Sequence, residues 1–156
     1  STLQIIQERN FPDDTIVYLL EDDYLHRKNW CSVLLEAFTL PVQYVTLYDH
    51  LDKYKHYPDL TSRIFATNSC HWRTVPSTTN TYACTAKQLR EDYEIHRKYS
   101  LDREVSGDND KFLELGRIGR TLLSSIRGYS THCDDYLSPG TDWKAFSDYD
   151  WRAGHM

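Results

Sequence analysis

Three consecutive carboxylates, Glu21-Asp22-Asp23, follow an apolar run at residues 15–20. Adjacent carboxylates repel one another unless a cation lies between them, and hard oxygen ligands of this kind suit Mg²⁺ or Mn²⁺ rather than zinc. The three acids therefore indicate a site for a divalent metal cofactor. The alternative is a solvated acidic turn that caps the next helix, and the motif by itself does not separate the two.

A second group of polar residues, Ser130-Thr131-His132, follows the last apolar run at residues 121–126. A neutral imidazole is a good ligand for Mn²⁺, and carboxylates also accept Mg²⁺. If the ends of the two strands converge, His132 and the acids make a mixed oxygen and nitrogen site for a metal that bridges a diphosphate. A lone histidine in a loop is otherwise a structural hydrogen-bonding residue.

The elements that must position these residues follow from apolar periodicity and from breakers. An unbroken apolar run such as residues 15–20 is typical of a strand covered on both faces, as in a parallel sheet, and ligands bind beyond the carboxyl ends of such strands. We predict helices at 2–9, 29–39, 86–96 and about 106–119, and strands at 15–20, 43–48 and 121–126. The pattern of residues 63–85 predicts short antiparallel strands, and Asn29 is expected to cap the helix that follows it. The polar loop at residues 49–59 is either a solvated connector or a substrate lid.

The whole chain fits one α/β domain. Its 156 residues suffice for a single core, so we predict a mixed, mostly parallel sheet flanked by helices over residues 1–146 and a loosely anchored tail at 147–156. The net charge of −5 argues against broad capture of nucleic acid. The four cysteines form no CxxC pair, and no apolar run is long enough for a membrane span, so a cytoplasmic protein is expected.

The order of the motifs resembles one enzyme family. These motifs are Glu-Asp-Asp-Tyr-Leu-His (21–26), Tyr-Val-Thr-Leu-Tyr-Asp-His (44–50), His-Trp-Arg (71–73), Gly-Asp-Asn-Asp (107–110) and Gly-Tyr-Ser-Thr-His-Cys (128–133). Over about residues 1–145 the chain resembles nucleotide-sugar glycosyltransferases of the GT-A fold, near the family 2-like group. The resemblance implies that Glu21-Asp22-Asp23 is a DxD-type motif that holds Mn²⁺ or Mg²⁺ against the donor diphosphate, with Asp23 and His132 as metal ligands.

The resemblance also implies a reaction. A sugar would pass from a nucleoside-diphosphate sugar, most simply a UDP-sugar, to a hydroxyl of a saccharide acceptor, with inversion and with Asp108 or Asp110 as the base. The alternatives are a helix cap for Asp108 and a helix-dipole partner for Asp110. Trp72 is a candidate for stacking on the acceptor and Arg73 for a phosphate contact, whereas a Trp-Arg pair on a strand is otherwise core packing with an exposed partner.

One departure from the family affects the expected assembly. The DxD-type motif lies at residue 21, whereas the family places strands that bind the nucleotide base before it. We therefore expect an N-terminally truncated domain, inactive in isolation, whose unpaired edge strand forms a homodimer or a domain swap. Two other functions are a non-catalytic domain that serves in assembly or carbohydrate binding, and a metal-dependent phosphoester hydrolase.

Overall fold

The computed structural model of the protein describes residues 2–100, 107–133 and 136–146. The helices are α1 (Thr2–Glu8), α2 (Trp30–Ala37), α3 (Asp52–Lys55), α4 (Ala86–Glu91), α5 (Tyr93–Ser100) and α6 (Asp108–Arg117), followed by a 3₁₀ turn at Trp143–Phe146. The strands are β1 (Ile16–Leu19), β2 (Tyr24–His26), β3 (Tyr44–Thr46), β4 (Ile64–Ala66), β5 (His71–Thr74), β6 (Tyr82–Thr85), β7 (Leu122–Ile126) and β8 (Ser130–His132). The predicted tail at 147–156 lies outside the described residues.

Six of the strands form one mixed sheet in the order β1-β6-β3-β7-β5-β4. The predicted α/β class and the mixed sheet are confirmed, but the expectation of a mostly parallel sheet is wrong. Among the described strands β3 and β7 form the one parallel pair, and the other four pairs in this sheet are antiparallel. The short connection between β4 and β5 permits only an antiparallel hairpin, and β6 lies antiparallel between β1 and β3.

The side chains of the central strands alternate between two apolar cores, one on each face of the sheet. Val45, Ala83 and Leu123 face one core, which α2 covers with Val33, Leu34 and Ala37. Their neighbours in sequence, Tyr44, Cys84 and Leu122, face the other core, which Leu89 of α4 and Phe112 and Leu115 of α6 cover. This period of two is what strands with helices on both faces require. Helix α6, which carries Asp108 and Asp110, is thereby fixed against the sheet.

Strand β1 lies at the edge of the sheet and not at its centre. It pairs with β6 from Ile16↔Thr85 to Leu19↔Tyr82, and each of its four residues is half-buried. No other strand in the described part of the chain pairs with its second edge. An open edge of this kind can accept a further strand, and the homodimer or domain swap stays a prediction.

Strands β2 and β8 form a separate two-stranded antiparallel ribbon, which was not predicted. Its register pairs Tyr24 with His132, Leu25 with Thr131 and His26 with Ser130. The ribbon joins the turn after β1 to the segment after β7. It therefore brings together the two polar groups that the sequence places at distant strand ends.

Several helix boundaries also differ from the prediction. The segment predicted as one helix at 86–96 is broken at Asp92 into α4 and α5, and the loop at 49–59 contains α3. Asn29 lies at the start of α2, but with φ 64° and without a side-chain capping hydrogen bond, so the predicted cap is wrong. Gly119, with φ 88°, follows the end of α6 as expected, since glycine tolerates this left-handed conformation. No helix within the described ranges is long and apolar enough to cross a membrane.

Candidate functional site

The ribbon of β2 and β8 positions Asp23 beside His132. Asp23 immediately precedes β2, and its carbonyl oxygen accepts a hydrogen bond of 2.8 Å from the backbone N–H of Cys133, which follows β8. This bond extends the ladder by one step and places Asp23 next to His132 in space at the end of the ribbon. The distance from Nε2 of His132 to Oδ2 of Asp23 is 2.7 Å.

The pair is open to solvent. Half of the Asp23 side chain is exposed, as is 28% of the His132 side chain. The imidazole also packs edge-on against the ring of Tyr24, with 5.1 Å between the ring centroids. A carboxylate oxygen and an imidazole nitrogen are thus held next to each other where a ligand can reach both.

Glu21, Asp22 and Asp23 lie in the turn between β1 and β2, which we call the acidic turn. Within it, Glu21 lies beside the start of β6. Its backbone N–H donates a hydrogen bond of 3.2 Å to the hydroxyl of Thr81, and that hydroxyl lies 3.4 Å from Oε2 of Glu21. Partial burial raises the pKa of the Glu21 carboxyl, and the negative charges of Asp23 and Asp108 raise it further, while His132 opposes them. Three carboxylates therefore interact electrostatically around this turn. Asp22, the middle residue of the motif, is exposed.

The two acids at the start of α6 differ in their surroundings. Asp108 is half-buried and close enough to Glu21 to influence its ionisation, whereas Asp110 is exposed. The residue that precedes the helix is Gly107, whose carbonyl accepts the backbone N–H of Lys111 at 2.9 Å. Asp108 is thus the first helical residue and not the cap. Of the two acids, Asp108 is the one whose charge raises the pKa of Glu21.

Sequence reasoning missed Lys111, a buried cation on which the charges of Asp108 and Glu21 act. Its side chain is 2% exposed, and Nζ donates a hydrogen bond of 2.7 Å to Oδ1 of Asn80 and lies 4.7 Å from the centre of the Tyr82 ring. Burial lowers the pKa of the ammonium to about 8, against the opposing charges of Asp108 and Glu21. The one available signal was its position three residues after Asp108, on the face of α6 that also carries Leu115.

Lys111 and Glu21 line the same cavity, which has a volume of about 430 Å³. Its other walls include the rings of Tyr18 and Tyr82 and the side chain of Asn80. A cavity with apolar walls and a few convergent polar groups is typical of a small-molecule site. The acidic turn thus borders a space large enough for a ligand.

The structure does not bring Trp72 and Arg73 to this site. They lie on β5, four strands along from β1 in the sheet, and neither residue lines the cavity that contains Lys111. Trp72 is fully buried, and its indole N–H donates to the hydroxyl of Thr67 at 3.0 Å. Arg73 donates to Oδ1 of the buried Asp49 at 2.8 Å and stacks over the ring of Tyr54. Both side chains are engaged in packing.

The donors at the turn fit a divalent metal in part. Within the described ranges no group of three or more His, Cys, Asp or Glu side chains is arranged to hold a metal ion. Asp23 and His132 supply one oxygen and one nitrogen donor side by side. Mg²⁺ is commonly bound through one or two protein groups while phosphates and water supply the rest, so these two residues suit an ion that arrives with a diphosphate.

Comparison of the chain with family models, with curated proteins and with solved structures finds no match. The geometry of the acidic turn is therefore the evidence on which a functional proposal rests.

Proposed function

We propose that the protein is a metal-dependent glycosyltransferase of the GT-A fold. It would transfer a sugar from a nucleoside-diphosphate sugar, such as a UDP-sugar, to a hydroxyl of a saccharide acceptor. The observation that carries the proposal is the 2.7 Å approach of His132 Nε2 to Asp23 Oδ2, because it joins the two residues that the family resemblance names as metal ligands. Asp23 and His132 would hold Mn²⁺ or Mg²⁺, which neutralises the charge of the leaving diphosphate as a Lewis acid.

The acceptor requires a base. Asp108 is the favoured candidate over Asp110, since Asp108 is half-buried and interacts with the acidic turn. In the proposed step the acceptor hydroxyl loses its proton to the Asp108 carboxylate while its oxygen bonds to the anomeric carbon. The bond from that carbon to the diphosphate oxygen breaks, and the nucleoside diphosphate leaves with the electron pair. A single displacement of this kind inverts the anomeric configuration.

Glu21 and Lys111 would set the electrostatics of the cavity. The Lys111 ammonium is buried beside two carboxylates, so it offsets their charge where a negatively charged donor must bind. Thr81 orients Glu21 through its hydroxyl. Glu21 and Lys111 can set the charge of the cavity in this way without contact to the reacting atoms.

A second candidate, a non-catalytic domain that binds carbohydrate or assembles with a partner, is favoured by one observation. Asp23 and His132 are hydrogen-bonded to each other and have no third donor of the metal-binding kind in the described residues. The pair would then be a surface contact that closes the ribbon. The two candidates differ in whether the turn binds a metal.

Calorimetric titration of Mn²⁺ in the presence and absence of UDP tests the proposal. We expect Mn²⁺ to bind, and UDP to increase its affinity. Asp23→Asn and His132→Gln should each weaken Mn²⁺ binding by tenfold or more. Asp59→Asn, which removes an exposed carboxylate outside this turn, is the matched control and should leave the affinity within about twofold. Circular dichroism melting of each variant separates loss of the site from loss of the fold. Binding that survives both substitutions, or no binding in a folded protein, would refute the metal-dependent function.

A further inference from the structure

A second cavity, of about 450 Å³, lies at the other end of β2, where α2 begins. The residues that matter in its lining are Arg27, Lys28, Asn29, Ser32, Ser69 and Tyr129. Arg27 is four positions after Asp23, and at the rise of an extended chain this corresponds to about 13 Å. The cavity is therefore distinct from the acidic turn and from the cavity that contains Lys111.

Arg27 is held rigidly beside this cavity by backbone and ring contacts. Its backbone N–H donates to the carbonyl of Tyr129 at 2.9 Å, and its guanidinium carbon lies 4.4 Å from the centre of the Tyr129 ring. Stacking on a ring uses the face of the guanidinium and leaves the N–H donors at its edge available. The charge is thus positioned in advance, which lowers the entropic cost of binding a ligand.

The two cations of the cavity have no carboxylate partner among the described residues. Within the part of the chain that the structure describes, neither the Arg27 guanidinium nor the Lys28 ammonium makes an ion pair or a side-chain hydrogen bond. Other basic side chains of this protein are paired: Arg73 with Asp49, Arg90 with Asp13, and Arg120 with Asp92. Two adjacent unpaired cations repel each other, so an anion between them is stabilising.

No acidic side chain among the described residues lines the cavity. The nearby carboxylate of Glu36 accepts the backbone N–H of Ser69 at 2.9 Å and the Ser69 hydroxyl at 2.6 Å, so it is bound to Ser69 and not to the two cations. Ser32 adds an exposed hydroxyl in the first turn of α2, which has no side-chain cap. The described lining residues thus offer the positive charge of Arg27 and Lys28 and the hydroxyl donor of Ser32, and none of them carries a carboxylate.

We propose that this cavity is a binding site for a phosphoryl group. Arg27 would supply two parallel N–H donors to phosphate oxygens, Lys28 a point charge, and Ser32 a hydroxyl donor. The bound species is either inorganic phosphate or a phosphate ester of a sugar, which share the same dianionic oxygens. The proposal does not depend on the metal site or on glycosyl transfer.

Binding of inorganic phosphate, glucose 6-phosphate and glucose to the whole chain, followed by NMR titration at low ionic strength, tests this inference. We expect both phosphates to bind, glucose to fail, and Arg27→Gln with Lys28→Gln to weaken phosphate binding by at least tenfold. Tighter binding of the sugar phosphate identifies an ester as the ligand, and equal affinities identify a site for the free anion. Either result supports the proposal.

The matched control replaces two exposed cations elsewhere, Lys87→Gln with Arg97→Gln, which pair with Glu91 and Glu94. This variant has the same net charge as the test variant and should bind phosphate as the parent does. An equal loss in both variants would reveal general charge attraction and overturn the site, as would the absence of phosphate binding. Arg27→Lys keeps the charge but removes the two parallel N–H donors, so it should weaken phosphate binding if those donors are used. A melting curve like that of the parent shows that the Arg27→Gln with Lys28→Gln variant is folded.

Discussion

The imidazole of His96 is wholly buried, and its Nε2 lies 2.9 Å from the hydroxyl oxygen of Tyr44. Tyr44 donates its own proton to Oδ2 of Asp92 at 2.7 Å, so its oxygen must accept from Nε2–H of His96. The Nδ1 atom, 2.9 Å from the Tyr82 hydroxyl, then accepts from that tyrosine. The network therefore fixes His96 as the neutral tautomer with its proton on Nε2.

This arrangement predicts a loss of stability in mild acid. Burial and the charge of Lys111 lower the pKa of His96 from 6.5 to about 4, so between these values the unfolded chain binds a proton that the folded chain excludes. Stability contributed by the neutral imidazole is full above pH 6.5 and declines as the pH falls toward 4, by up to roughly 3 kcal/mol. Urea unfolding of the parent and of His96→Gln across this range measures the difference.

The His96→Gln variant should show a shallower decline of its unfolding free energy between pH 6.5 and 4. His71→Gln, a change of an exposed histidine on β5, is the control and should follow the parent. Parallel curves for the parent and His96→Gln would contradict the assigned protonation state.

Lys111→Met is expected to stabilise the fold at neutral pH. The pKa of this lysine falls from 10.5 to about 8 on folding, so the buried ammonium costs free energy at and below pH 8. This cost, roughly 1–3 kcal/mol, disappears as the pH rises toward 10.5, because both states then lose the proton. Chemical denaturation at pH 7 and at pH 10 checks the prediction, and a variant less stable at both values would refute it. A destabilising charge kept in a cavity is consistent with a functional role.

Gly128→Ala should destabilise the protein by roughly 1–3 kcal/mol. A Cβ atom at this position would overlap the Ser138 side chain and would lie 2.8 Å from the carbonyl oxygen of Ser130, so the contact that fixes β8 would have to move. Gly116→Ala is the matched control, since no heavy atom lies within 4 Å of its Cβ and the residue is in α6. That variant should gain about 0.5–1 kcal/mol, and thermal melting of both compares the two directions.

Asp49→Asn should cost roughly 3 kcal/mol, because it leaves the Arg73 guanidinium without a counter-charge in a buried position. Burial raises the pKa of Asp49 in spite of Arg73, so the cost comes from the unpaired guanidinium and not from loss of the carboxylate itself. The Asp49 and Arg73 side chains are 1% and 12% exposed, and Oδ2 of Asp49 also accepts the hydroxyl of Tyr54 at 2.7 Å. The control is Glu94→Gln, which breaks an exposed pair with Arg97 and should shift the unfolding free energy by less than about 0.5 kcal/mol. Equal effects in a urea titration would show that burial of the Asp49 pair adds nothing.

Much of the fold could be predicted from local pattern, but strand direction could not. The periodicity of α2 and the breakers around β3 and β7 placed these elements within a few residues. The apolar run before Glu21 predicted a strand, yet the run is equally compatible with the antiparallel edge position that β1 occupies. The direction of a strand in the sheet depends on which strand it pairs with. For β1 that partner is β6, and the paired residues Leu19 and Tyr82 are 63 positions apart in the sequence.

The candidate site was predictable to the extent that its residue types are unusual. Acids after one strand and His132 after another predicted the pair, because polar residues at strand ends converge. The three-residue strands β2 and β8 that hold the pair are too short to leave a pattern. The burial of Lys111 could not be predicted, because its neighbours Asp108 and Asp110 are typical of a solvent-exposed helix start.

The ribbon of β2 and β8 joins residues 109 positions apart, counting from Asp23 to His132. Contacts between such distant parts of a chain carry a large loop-closure entropy and form late in folding. A two-stranded ribbon of three residues a side is also among the first elements to open in a native protein. The acidic turn and its histidine would therefore be the last part of the molecule to assemble and the first to separate, so protection of the Cys133 amide from hydrogen exchange reports directly on whether the site exists.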